Sequence, residues 1–78
     1  MSREVLEYVA KALVDQPDEV RIRELEEEGQ PVLELRVHPD DMGKVIGKRG
    51  RTAKAIRTMV KAAAPDEHGG ARVEIVDD

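Results

Sequence analysis

The chain has 78 residues, with 13 Lys and Arg against 17 Asp and Glu for a net charge of -4, 40% hydrophobic residues and one aromatic, Tyr8. That length allows one domain at most, and burial of only about 60% of the unfolded surface makes its core modest, so self-association would be a natural way to gain buried area. There is no cysteine, which excludes disulfides, thiolate nucleophiles and Cys-type zinc sites.

His38 and His68 are the only histidines and lie far apart, in no metal-ligand spacing. The first residues lack a basic stretch followed by an apolar run, and no apolar run approaches the roughly 20 residues needed to span a bilayer. The expectation is a soluble cytoplasmic protein without metal or cofactor. Its core must come from Val, Leu, Ile, Ala and Met, and an aromatic stacking platform is excluded.

In chain order, Ser2 can cap a helix through its hydroxyl. Val5, Leu6, Val9, Ala10 and Leu13 then fall at helical spacing, with Glu4, Glu7 and Lys11 off the stripe. The helix should stop near Asp15-Gln16-Pro17, because proline disfavours helical geometry in the residue before it. Val20 and Ile22 alternate with Arg21 and Arg23, as in a strand. The charged run Glu26 to Glu28, followed by Gly29-Gln30-Pro31, reads as a turn. Leu33, Leu35 and Val37 alternate with Glu34 and Arg36, predicting the second strand of a hairpin. His38-Pro39-Asp40-Asp41 opens a short helix, with proline and carboxylates at its positive end. That helix ends at Ile46 or Gly47. After Gly50 a second helix places Ala53, Ile56, Val60 and Ala63 on a buried stripe and Lys54, Arg57 and Lys61 on a polar one. Pro65 ends it, Asp66 to Ala71 form a loop, and Val73 and Ile75 alternate in a last strand.

The net charge argues against nucleic acid, but its distribution does not. No acidic residue lies between Gly43 and Pro65, a stretch that holds Lys44, Lys48, Arg49, Arg51, Lys54, Arg57 and Lys61. Local charge decides which ligand docks where. Within it, Val45-Ile46-Gly47-Lys48-Arg49-Gly50-Arg51 sets two cations between two glycines at a helix-helix junction. Glycine allows positive φ and close approach of a ligand backbone. Free N–H groups at the start of the second helix favour anions. Lys48 and Arg49 add mobile charge, and Val45, Ile46 and Ile56 an apolar floor. Ile46 and Ile56 also read as core, with partial exposure at the groove edge. A P-loop does not fit: Gly43 is one residue too close to Gly47, and Arg49 replaces the required hydroxyl. The Gly-x-Gly-x-x-Gly dinucleotide fingerprint fails at Val45.

The Ile46-Gly47-Lys48-Arg49-Gly50 run resembles the KH domain, whose Ile-Gly-x-x-Gly loop joins two helices and clamps about four nucleotides of a single strand. The order of elements is similar to the type II, prokaryotic arrangement: α+β, helix-strand-strand-helix-helix-strand, a three-stranded sheet backed by three helices. The resemblance covers residues 1–78 as a single KH domain and is nearest to the stand-alone bacterial KhpA family. It implies that Gly47, Lys48, Arg49 and Gly50 contact the sugar-phosphate backbone of RNA, with Ile46, Arg51, Lys54, Arg57 and Lys44 around them. Bases would lie in a groove between the two helices and the hairpin's second strand. It further implies an RNA chaperone in post-transcriptional regulation, acting as a homodimer and as a heterodimer with a KhpB-type KH protein, with a role in cell envelope and cell length control. Neither a small-molecule substrate nor a membrane is implied. No nucleophile-base pair or metal cluster stands in the sequence, so binding rather than catalysis is expected. Two other readings remain: a dimerisation module with a KH fold and little RNA affinity, and a helix-turn-helix on duplex DNA, which three alternating strands disfavour.

Overall fold

The computed structural model describes residues 2–63 and 71–77. The stop expected at Pro65 and the loop expected over Asp66 to Ala71, except Ala71 itself, lie outside them. Helix α1 spans Ser2–Leu13, strands β1 and β2 span Arg21–Glu27 and Gln30–Arg36, helices α2 and α3 span Met42–Ile46 and Arg51–Ala63, and strand β3 spans Arg72–Ile75.

The apolar stripe of α1 behaves as its spacing requires. Leu6 and Ala10 are fully buried, Val5 and Val9 pack beside them, and Val14 takes the place at the end that Leu13, 38% exposed, does not fill. Glu4 in the first turn is held below the ordinary carboxylate range chiefly by a backbone hydrogen bond, as suits an acid at the positive end of a helix. Ser2 departs from expectation. It lies inside the helix, and its buried hydroxyl has no hydrogen-bond partner, so it caps nothing.

The hairpin is longer than its charge pattern predicts. Glu26, Glu27, Gln30 and Pro31 belong to the antiparallel ladder, in which Glu26 faces Pro31 and Glu27 faces Gln30. Only Glu28 and Gly29 turn the chain, at φ 54° and 80°. Two successive positive φ values match the twist of the flanking strands. Charge misled the reading because β1 is an edge strand whose side chains mostly meet water. Pro31 is tolerated because β3 starts pairing one residue later, at Val32.

β2 is the central strand, antiparallel to β1 and parallel to β3. A parallel partner needs a long crossover, and α2 and α3 provide it. Alternation sends Ile22, Leu33, Leu35, Val73 and Ile75 to the helix side, where they meet Leu6, Ala10, Val45, Ile56 and Val60. Each such side chain contributes roughly 1.5–3 kcal/mol of burial. Among the described residues the two methionines are not part of this core: Met42 is half-buried and Met59 is 42% exposed. The other face of the sheet is a mesh of ion pairs. Glu34 lies between Arg23 and Arg36, and Arg72 between Glu27 and Glu74.

Side-chain contacts at the start of α2 and backbone geometry at its end position the junction between α2 and α3. The His38 ring accepts the Asp40 N–H at 3.0 Å, and a single 3-10 turn over Pro39–Asp41 leads into α2. The Asp41 side chain, 1% exposed, reaches back 25 residues to accept the Gln16 N–H at 3.0 Å. It ties the connection after α1 to the start of α2. At the other end of α2, Gly47 has φ 75° and ψ 173°, a region that only glycine occupies without strain. A Cβ there would stand 2.2 Å from Thr52 Oγ1. Arg49 (φ 60°, ψ 25°) and Gly50 (φ 74°) complete a left-handed bend into α3.

Asp41→Ala should destabilise the protein by about 1–3 kcal/mol in urea denaturation, because a part-buried N–H loses its acceptor. Asp41→Asn, which keeps an acceptor oxygen, should cost less. Gly47→Ala should cost more than Gly50→Ala: the first adds a clash with Thr52 to a strain of roughly 1–3 kcal/mol, whereas the second carries only the left-handed penalty of roughly 1–2 kcal/mol. Equal losses at the two glycines would contradict this account of the bend.

Candidate nucleic-acid interface

The bend projects its cations into solvent. Lys48, Arg49, Arg51 and Lys54 are exposed, and Gly47 and Gly50 are half-buried between them. Part of the backbone's donor capacity is used internally. The Gly47 N–H donates to Gly43, Gly50 to Gly47 at 3.2 Å, and Arg51 to Lys48. These three amides close the bend itself.

The apolar floor is smaller than the sequence predicts. Val45 and Ile56 are 0% and 1% exposed and belong to the core, while Ile46 is 37% exposed. Ile46 is the last residue of α2, so its side chain emerges beside the bend instead of packing under it. The other expected residues lie on the same side but are partly engaged. Lys44 Nζ is 3.4 Å from an Asp15 carboxylate oxygen, and Arg57 donates through Nε to the Val73 carbonyl at 3.2 Å.

Both edges of β2 are paired, so no ligand can hydrogen-bond along the hairpin's second strand, of which Gln30 lines a groove. That groove, of about 310 Å³, runs between α3 and the free edge of β3, lined by Lys54, Arg57, Thr58, Lys61 and Val73 among others. The parallel order that puts β3 outermost cannot be read from alternation. Lys61 joins the site for a reason visible in the sequence: it follows Arg57 by four residues and so shares its helix face. Arg72, at the start of β3, lines the groove too. No sequence signal singles it out.

The pairing of charges separates this face from the rest of the molecule. Arg3, Lys11, Arg23, Arg36, Lys44 and Arg72 each have a carboxylate within 4.0 Å, and Arg21 and Arg57 donate to backbone carbonyls. Among the described residues, Lys48, Arg49, Arg51, Lys54 and Lys61 have no such partner. All of them lie on the bend or on α3. No group of three or more metal-ligating side chains occurs among the described residues, and no described helix is long and apolar enough to cross a membrane.

Residues 3–75 match the family model described as the KhpA/KhpB KH domain. The chain is similar over nearly its whole length to proteins named RNA-binding protein KhpA. It is 57% identical over 74 residues to that of Clostridium acetobutylicum, covering 95% of this chain and 99% of the relative. It is 53% identical over 73 residues to that of Halalkalibacterium halodurans, covering 94% and 96%. It is 49% identical over 77 residues to that of Streptomyces coelicolor, covering 99% and 94%. With its helix-strand-strand-helix-helix-strand order and its Gly47–Gly50 bend between helices, the chain has the type II KH fold and belongs to the KhpA/KhpB KH-domain family.

Proposed function

We propose that this protein binds single-stranded RNA along the bend at Gly47–Gly50 and the groove beside α3. The observation that carries the reading is the concentration there of cations without protein partners: Lys48, Arg49, Arg51, Lys54 and Lys61. Exposed cations that no carboxylate satisfies are available to phosphates, and neutralising phosphates releases counterions. The relatives' name, RNA-binding protein KhpA, supports the same ligand.

In this mechanism Lys48 and Arg49 hold two or three phosphates over the bend, with Gly47 and Gly50 letting the strand come close. Arg51 and Lys54 continue the contact along α3, and Lys44 joins once it leaves Asp15. Bases turn into the groove. Beside the bend Ile46 offers apolar surface, and in the groove the terminal nitrogens of Arg57 are still free to donate, its Nε being held by Val73. The one aromatic, Tyr8, is 77% exposed on α1, outside the groove lining. Stacking worth about 1–3 kcal/mol per base is therefore missing, and an isolated domain should bind weakly. The chemistry is recognition without a catalysed step.

The finer role we propose is that of a cytoplasmic RNA chaperone, consisting of this single KH domain. It would work as a homodimer or with a KhpB-type KH partner, in regulation that bears on cell envelope and cell length. Two-site binding would raise the effective concentration of weak sites. Supporting self-association, Met59 is 42% exposed on α3 beside Ala55 and Thr58 in a largely apolar patch. The same patch favours the second reading, a dimerisation module with little RNA affinity of its own.

Lys48→Asp/Arg49→Asp should lower affinity for short single-stranded RNA by more than about ten-fold at low salt and leave stability within about 0.5 kcal/mol, as usual for exposed sites. Gel shift and urea denaturation of the same preparation check both halves. A folded double variant that binds as the wild type does would remove the bend from the site. For two or three phosphates, log affinity should fall against log salt with a slope of about -1.4 to -2, and the slope should flatten in the double variant.

A further inference from the structure

The cations lining the groove beside α3 are not equivalent. Lys54 and Lys61 have no carboxylate partner among the described residues, whereas Arg72 is doubly held. Its Nη2 lies 2.5 Å from Glu27 Oε2 and 2.8 Å from Glu74 Oε1. The register shows the direction of this hold. Arg72 faces Val32, and Val32 faces Leu25 on the far side of β2. Glu27 stands two residues beyond Leu25 on the same face, so the Arg72 side chain crosses over the central strand to reach it. Alternation with Val73 already sets the Arg72 side chain toward the outer face of the sheet, and the two ion pairs hold the guanidinium there although its residue borders the groove. Glu27 is the last residue of β1, beside Glu28 in the turn. α3 runs from the bend toward Lys61, and β3 starts at Arg72. The carboxylates at the hairpin tip therefore mark the end of the groove remote from Gly47–Gly50. The hydrogen bond to Glu27 raises the Arg72 pKa further, but a guanidinium is charged with or without it, so what is restrained is a permanent cation.

We propose that Glu27 and Glu74 keep Arg72 out of the polynucleotide's path and so set the distal limit of the RNA footprint at Lys61. This rests on the RNA reading above and adds to it a residue-level limit on site length. A strand of about four nucleotides, the usual KH span, is served by the bend and by Lys54, Arg57 and Lys61. A longer strand leaving the groove at Lys61 meets the carboxylates of the hairpin tip in place of a further cation. Releasing Arg72 adds one phosphate contact for long strands and none for short ones. Exposed ion pairs contribute little to stability, so these substitutions leave the protein folded.

The test uses the full chain with fluorescently labelled random-sequence RNA pools of four and of eight nucleotides, followed by anisotropy across a salt series. Glu27→Gln/Glu74→Gln should bind the octamer pool roughly three- to ten-fold more tightly than wild type at low salt, with a salt slope steeper by about 0.7, the value for one further phosphate of a single strand. Binding of the tetramer pool should not change. Adding Arg72→Ala should abolish the octamer gain. The proposal is overturned if a folded double variant binds the octamer as wild type does, if the gain is equal for both pools, or if it survives Arg72→Ala. Failure of the RNA reading itself has a different signature: wild type and Lys48→Asp/Arg49→Asp would then bind both pools equally poorly.

Discussion

The close approach of Gly47 to Thr52 is the constraint on which the rest of the molecule depends. The Gly47 Cα lies where any side chain would run into the Thr52 hydroxyl and backbone. Its φ of 75° with ψ of 173° carries the chain out of α2 in a direction that L-residues with a Cβ rarely take. This lets α3 start within a few residues of the end of α2 while both helices keep Val45 and Ile56 in a shared core. The residues between them are forced outward, and they are Lys48 and Arg49. One steric condition therefore closes the core and exposes the cations. The left-handed conformation of Arg49 shows that strain is accepted to keep the bend.

Asp41 holds the other end of the same unit. α2 has five residues and little intrinsic stability. A buried carboxylate bound to the Gln16 amide fixes its first turn to a distant connection. The short helix is thus clamped at its start by a polar tether and at its end by a glycine contact. The bend inherits a defined orientation from both.

Charge is organised on a second level. Most cations outside the bend and α3 are matched with carboxylates in local pairs, most densely on the outer face of the sheet, where Glu34 and Arg72 each serve two partners. The bend and α3 are left out of that network. A protein with a net charge of -4 can in this way present a face whose field is positive, while its remaining surface repels indiscriminate coating by polyanions.

Periodicity and glycine placement in the sequence determined the elements, their order, the buried stripe of Ala53, Ile56 and Val60, and the basic bend, because these depend on spacing along one chain. The extent of the hairpin was not legible: Glu26 and Glu27 look like turn residues until they are seen on an edge strand, where water solvates their carboxylates. The same holds for Ile46, which the pattern assigns to the core and the end of α2 turns outward. Tertiary structure alone decided that β3 pairs parallel to β2 and becomes the free edge, that the groove therefore runs beside β3, and that Arg72 is drawn across the sheet to Glu27. The physical reason is range. Local backbone preferences and side-chain periods act over a few residues, whereas strand order and cross-sheet ion pairs join residues up to 45 positions apart and exist only once the chain has closed on itself.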